Sequence, residues 1–484
     1  MKNIKIIQLL ETFNEEEFSG FVDFAKSVYY RKERKYNEIL NEIKNYLSEA
    51  RNLKDISPGK FYERIIRNTK LNYQTLRNRL NELTKISERF IIEKELDKQK
   101  NIRELLLLNA FKNRKLNKQF LIEYKKISEI IINKTEKSNI DSDILNAKVM
   151  FSKENRNFQE MFSDYNKYLE YFFVYFLEIY FEAAKEYEIE KSYNVNPTIK
   201  ILEILSSNLN SRKLIKSLEE QNNPSYFPVI FSYYKFKSLE NLKDMTWFNK
   251  LQKLFYSRIN ELDNELKNNL MTHMISYYFY KINSGQSGYL KDVFKLYNLK
   301  LRLGLYSEIK EIRYPSSAFR DYVVVGIRLK RYRWVENFIK KYSVELPEEI
   351  RDEETYMAYA RLYLEKKEYS SSLEMANKIS SDNPLYYLDA TRNKLRIFYE
   401  TVDFEKAFLE MDRIRHYIKN NMKRIALPIR KYAKEFIDFY NKLLKFRLNP
   451  DRTELEFLLQ NIMESNSLPQ QNWLIEKVKE MKNN

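Results

Sequence analysis

The sequence predicts an all-α protein whose C-terminal half is a helical repeat and whose N-terminal region is also helical. Two observations carry this. Only 6 Gly and 10 Pro occur in 484 residues, too few turn residues for an all-β or α/β chain. Between Phe319 and Ile414 the sequence also returns on itself: Trp334, Tyr369 and Phe404 lie 35 residues apart, as do Asn337, Ser372 and Ala407, and Val325, Ala360 and Leu395. A fixed period in the mid-thirties on helical apolar spacing marks stacked helix–turn–helix units. No such unit buries its apolar face without a neighbour.

The elements follow in order. Asn14 and Glu17 form a capping-box pattern that opens a helix through about Tyr29. Tyr36, Ile39, Leu40, Ile43 and Leu47 share the face of the next helix. Ser57-Pro58 supplies an N-cap and a first-turn Pro, and after a polar turn at Asn68–Leu71 a longer helix carries Leu76, Leu80, Leu83 and Phe90 as its buried stripe. The pair over 58–92 has the layout of a helix-turn-helix, whose second helix would present Tyr73, Gln74, Arg77, Asn78 and Arg79 to a major groove. From Arg51 to Phe120 there are 18 Lys plus Arg against 8 Asp plus Glu, and an antiparallel pair with a solvated basic face has the same pattern.

Further helices are expected over 101–111 and 117–133, with a boundary in the polar stretch Lys134–Ser142. Beyond it, Tyr165, Tyr168, Phe172, Tyr175, Phe176 and Tyr180 lie in a helix apolar nearly all round, which predicts burial between neighbours. Glu170, Glu178, Glu182 and Glu186 in that helix argue against stacking on nucleic-acid bases. Ser284–Gly288, with GxxG spacing and no flanking strands, is expected to be a flexible join. Helices at 431–446 and 454–463 and a charged tail, Glu476–Asn484, follow the repeat block. The regions are therefore 1–138, basic and helical; 139–284, helical and aromatic-rich; and 289–484, the repeats with a C-terminal cap.

Within the block, Glu353 to Pro384 carries Tyr356, Ala360, Tyr363, Tyr369, Ser372 and Pro384. This resembles a tetratricopeptide repeat (TPR), and the resemblance implies an α-solenoid whose A helices line a concave groove. Lys394 and Met411 depart from that pattern in the neighbouring copies. Carried over by position, the groove-facing residues would be Tyr322, Lys330, Met357, Arg361, Glu365, Arg392, Arg396 and Tyr399. Four of the eight are basic and two aromatic, which suits an acidic protein segment, since Arg forks carboxylates and Tyr packs between them. Taken whole, the chain is also similar to a group of long helical bacterial proteins, through Phe18, Phe24, Ser27 and Tyr29, Lys330-Arg331-Tyr332, and Phe338-Ile339 with Lys341-Tyr342. That resemblance implies the helical fold alone.

Composition limits the chemistry. The absence of Cys excludes disulfides and thiolate chemistry. The two histidines, His273 and His416, lack companion motifs and are expected on helix surfaces. No phosphate-binding Gly-rich loop, GxSxG elbow or HExxH helix is present. No cofactor, metal or catalytic residue is expected, and the reading is a non-enzymatic scaffold. The net charge of +17 suits an anionic partner, although Lys-, Asn- and Ile-rich usage is also what an AT-rich genome produces. The alternative to a protein partner is nucleic acid bound by segment 51–120. The N-terminus lacks a signal-peptide core, and the most apolar window, Tyr171–Phe181, holds Glu178 and is too short to span a bilayer. A soluble cytoplasmic protein is expected.

Overall fold

The computed structural model describes residues 5–26, 36–50, 63, 65–68, 71–133, 138–192, 199–306, 316–380, 382–448, 452–465 and 469–483. The protein is all-α, with no strand among the described residues. It divides into two compact units, Met1–Tyr180 with Lys216–Val229, and Phe181–Ile215 with Ile230–Asn484.

The first unit begins with α1 (Lys5–Glu11), α2 (Glu15–Lys26), α3 (Tyr36–Ala50) and α4 (Tyr73–Lys98). The capping box is present: Glu17 N–H donates to Asn14 Oδ1 at 2.8 Å, and Asn14 N–H donates to Glu17 Oε2 at 3.1 Å. Asn72 caps α4 through the Thr75 N–H at 2.7 Å. The expected stripes are buried: Ile39, Leu40 and Ile43 of α3 meet Leu76, Leu80, Leu83 and Phe90 of α4 in one core. Phe13, Phe21 and Phe90 close it as a triangle of rings with centroids 5.8–5.9 Å apart.

A second core joins α5 (Lys100–Asn113), α6 (Asn117–Asn133), α7 (Asn139–Glu154) and the first part of α8 (Phe158–Ser192). Phe120 and Phe151 stack at 4.1 Å. Here one expectation fails. Tyr171, Val174 and Tyr180 of α8 are buried, but Phe158, Phe162, Tyr165, Phe172, Phe173 and Phe176 are exposed. The helix is apolar nearly all round, yet the partners within its unit cover one face.

α8 continues into the second unit, and the chain goes on with α9 (Lys200–Asn208), α10 (Ser211–Gln221, in the first unit from Lys216 on), α11 (Phe227–Glu240, in the second unit from Ile230 on), α12 (Thr246–Arg258), α13 (Asn264–Asn283) and α14 (Leu290–Leu303). Phe181 packs edge-on to Tyr233 at 5.1 Å, and Phe248 stacks on Tyr277 at 3.9 Å. Ser284–Gly288 is an ordered helix end: Gly285 sits at φ 93°, and Gln286 N–H reaches back to the Lys281 carbonyl at 3.0 Å.

Next come α15 (Ser316–Arg328), α16 (Tyr332–Tyr342), α17 (Glu348–Glu365), α18 (Tyr369–Asn377), α19 (Pro384–Glu400) and α20 (Phe404–Asn420). The same turn joins α15 to α16, α17 to α18 and α19 to α20. Lys330, Lys367 and Val402 each adopt positive φ, and the N–H of Arg331, Glu368 and Asp403 returns to the carbonyl of Gly326, Tyr363 and Phe398. This is the Schellman closure, which satisfies carbonyls left open at a helix end. The equivalent positions 331, 368 and 403 are 37 and 35 residues apart. The sequence register over the first interval was therefore two residues out: Tyr332, not Trp334, opens the second helix, and Val335, not Asn337, matches Ser372 and Ala407. Val335, Ser372 and Ala407 are fully buried, whereas Asn337 is exposed. Trp334 instead donates to Asn298 Oδ1 at 3.0 Å.

Close helix approach explains the small residues. Ser372 Oγ donates to the Ala360 carbonyl at 2.6 Å across α17 and α18. A Cβ on Gly326 would stand 2.5 Å from Val335 Cγ2, so α15 and α16 could not approach as they do with any larger residue. Asn383 caps α19 through the Leu385 N–H at 3.0 Å, with Pro384 in its first turn. The chain ends with α21 (Leu427–Leu448), α22 (Arg452–Glu464) and α23 (Gln471–Asn483), whose Tyr440, Leu444, Leu458, Ile462 and Leu474 share a core with Leu395 and Met411.

Val402, at φ 60°, is β-branched in the left-handed region, where even an unbranched L-residue is strained by about 1–2 kcal/mol. Val402→Gly should therefore raise the stability of this unit by about 1 kcal/mol, read as a higher urea midpoint. An unchanged or lower midpoint would show that the turn carries no such strain.

Candidate functional site

Helices α15, α17 and α19 and the start of α23 surround a cavity of about 570 Å³. Val324, Ile327 and Arg328 come from α15, Arg361, Leu364 and Glu365 from α17, and Asn393 and Arg396 from α19. The fourth side is Gln470 to Trp473 with Glu476. α15, α17 and α19 thus each contribute one guanidinium to it, at positions 328, 361 and 396.

Arg396 is fixed most firmly. It donates to Glu365 Oε1 at 2.9 Å and to Gln470 Oε1 at 3.0 Å, and its guanidinium lies 5.5 Å from the Trp473 ring centroid. Its buried Nε has no hydrogen-bond partner among the described residues. Arg361 donates to Asp389 Oδ2 at 2.7 Å, and Arg392 holds the other oxygen of the same carboxylate. Burial, then repulsion from Arg361, pushes Arg392 down to about 10. Arg328 is exposed and has no ion pair among the described residues. The C-terminal helix is pinned beside the cavity by Glu400, which accepts from Trp473 Nε1 at 2.8 Å and pairs with Lys477 at 3.0 Å.

Of the eight groove residues expected from the sequence, Arg361, Glu365 and Arg396 line this cavity together. The others do not. Tyr322 is buried, stacked between Tyr297 at 4.0 Å and Phe338 at 5.3 Å. Met357 is buried in the small core with Ile379 and Tyr386. Tyr399 is buried against Tyr440 and Trp473, with Arg447 over its ring at 4.6 Å. Lys330 is the exposed left-handed turn residue, and Arg392 is engaged by Asp389. With a 37-residue offset between the first two turns, Arg328 and not Lys330 is the counterpart of Glu365.

At the other end of the chain, Tyr73, Gln74, Arg77 and Asn78 are exposed on the first turns of α4. Gln74 is hydrogen-bonded to Asn78 at 3.3 Å, and Arg79 is paired with Glu82 at 3.0 Å. The first helix of the expected helix-turn-helix falls almost wholly outside the described residues. No helix among the described residues is long and apolar enough to cross a membrane.

His416 lies on an exposed helix surface as expected. His273 does not. It is partly enclosed, hydrogen-bonded to Ser238 Oγ at 3.1 Å, and it lines a second cavity of about 850 Å³. Behind it, Glu182 accepts from Lys185 at 2.8 Å, from Ser232 at 2.7 Å and from Lys235. Burial alone would raise the Glu182 carboxyl, but Lys235 and Lys185 outweigh it and hold it at about 2. Burial, with those two ammonium groups, pushes the His273 imidazole down to about 3. Compared with known protein families, curated proteins and solved structures, the chain matches none.

Proposed function

We propose that the chain is a non-enzymatic helical scaffold whose C-terminal helix pairs stack in the manner of tetratricopeptide repeats and bind an acidic segment of a protein partner. The observation that carries this is the row Arg328, Arg361 and Arg396, one from each of α15, α17 and α19, lining one cavity. A carboxylate of such a segment would pair directly with Arg328, while Arg361 and Arg396, already held by Asp389 and Glu365, would share their remaining N–H donors with further carboxylates, each charge-assisted hydrogen bond contributing about 1.5–3 kcal/mol when desolvated and less at an exposed rim. Leu364, Ile327 and Trp473 supply apolar surface between them. The close approach of paired helices at Gly326 and at Ser372 supports the stacking.

Arg328 gives the cleanest test, because removing it breaks no internal ion pair among the described residues. Arg328→Glu should weaken capture of the partner more than tenfold in a pull-down from the native host, with helical circular dichroism unchanged. An unchanged partner list with Arg328→Glu, and with Arg396→Glu as a second variant, would overturn the groove. A nucleic-acid partner for segment 51–120 is the competing proposal, supported by the exposed Tyr73 and Arg77. It requires retention on heparin that falls steeply with salt.

A further inference from the structure

The exposed side of α8 carries a pattern of its own. Over 158–179 its apolar residues recur at alternating spacings of four and three: Phe158, Phe162, Tyr165, Leu169, Phe172 and Phe176, ending at Ile179. A 3.5-residue repeat held over three heptads is the spacing of a coiled-coil seam. At 3.6 residues per turn these positions stay within one stripe about 100° wide. The opposite side of the helix is the one its own unit packs: Asp164, Tyr171 and Val174 are buried, Tyr171 in the core with Phe120 and Phe151. The seam is the face left open.

Its area is more than a solitary protein ordinarily shows. Leu169 is half-buried, and the other six, with Phe173 beside them, are 38–61% exposed. An aromatic side chain buries about 150–250 Å², so the face offers about 600–700 Å² of apolar surface. The largest such patch on a typical monomer is about 300–600 Å². Two copies placed seam to seam would bury about 1,200–1,400 Å², within the range of specific, stable interfaces.

Charge selects the occupant. The stripe itself carries no charge, but α8 as a whole has eight Asp or Glu and three Lys. An anionic bilayer repels such a helix, which also lacks the basic residues that anchor interfacial helices. A second α8 fits in one orientation. Five of the eight carboxylates fall within 178–190, and a parallel pair would lay those ends together. An antiparallel pair sets Glu178 and Glu182 level with Ser163 and Gln159, and it also opposes the helix dipoles. Its layers are Phe162 on Ile179, Tyr165 on Phe176 and Leu169 on Phe172. Each copy supplies both members of every layer, so the contact closes on itself as a two-fold interface.

We propose that the chain self-associates through α8, two copies pairing antiparallel along the seam 158–179. The arginine cavity takes no part in this contact.

Sedimentation of the purified full chain at micromolar concentration should give twice the monomer mass. Phe162→Glu and Phe176→Glu each change an exposed residue, so circular dichroism should be unchanged. Each should weaken association about a hundredfold or more, because it sets a charge in a desolvated layer. The chain has no Cys, so an introduced thiol reports its own surroundings. Phe162→Cys with Ile179→Cys should cross-link two chains under mild oxidation, and Phe162→Cys alone should not. A monomer at micromolar concentration, a dimer that survives both Glu variants, cross-linking by Phe162→Cys alone, or a monomer that binds anionic vesicles would each overturn the proposal.

Discussion

Lowering the pH from 6.5 to 4.5 should destabilise the second unit by about 2–3 kcal/mol more in the wild type than in His273→Gln, at about 1.4 kcal/mol per pH unit. The sign follows from which state binds the proton. Unfolded, the imidazole titrates near its ordinary 6.5. Folded, burial with Lys235 and Lys185 holds it down to about 3. Through this window the unfolded chain therefore takes up a proton that the folded chain refuses. The stability contribution is complete above 6.5 and is lost progressively as pH falls toward 3.

The groups facing the ring are Ser238, Lys235, Lys185 and Glu182. Glu182 belongs to a lower window, because its folded value of about 2 lies below an ordinary 4.5 and its contribution is lost only as pH falls under 4.5. Stopping at 4.5 keeps the two apart. All three tryptophans, Trp247, Trp334 and Trp473, lie in the second unit, so their fluorescence in urea reports its unfolding. Parallel pH profiles for wild type and His273→Gln would show that the imidazole titrates normally in the fold.

Glu354→Ala should cost about 3–5 kcal/mol, the range found when one partner of a buried ion pair is removed. Glu354 is 1% exposed. It accepts from Arg320 Nε at 2.9 Å and from the second Arg320 nitrogen, and Tyr386 O–H donates to the same carboxylate. The Arg320 guanidinium also lies over the Tyr386 ring at 4.9 Å. Burial would lower the Arg320 pKa, but Glu354 outweighs it and the net direction is up. These three residues stand on α15, α17 and α19, the helices that line the arginine cavity, so the truncation loosens the scaffold at the point where they meet. Arg320 keeps part of its surface in water, which places the expected loss toward the lower end of the range. Glu354→Leu combined with Arg320→Met should recover most of it. A loss below about 1 kcal/mol for Glu354→Ala, by urea unfolding, would show that the pair is solvated.

Much of the local structure was legible in the residues. The capping box at Asn14 and Glu17 and the stripes of α3 and α4 depend on neighbours three or four positions away, and all are present. The register of the first C-terminal pair was misjudged because Trp334 and Tyr332 are both aromatic near a helix start. Only the backbone turn at Lys330 distinguishes them. Tyr322, Met357 and Tyr399 were placed in a groove by analogy of position, but the packing of neighbouring helices buries all three. Tyr165, Phe172 and Phe176 of α8 depart from the expected burial for the converse reason: a side chain's apolarity does not say which neighbour arrives to cover it.

The sequence by itself determined the all-α class and the start of α2, because these follow from turn-residue scarcity and capping chemistry. Only the tertiary structure decided which charges meet. Lys235 and His273 reach Glu182 and Ser238 from distant points in the chain, and Arg328, Arg361 and Arg396 share a cavity because three helices pack side by side. Such pairings depend on distance in space, which no local pattern encodes.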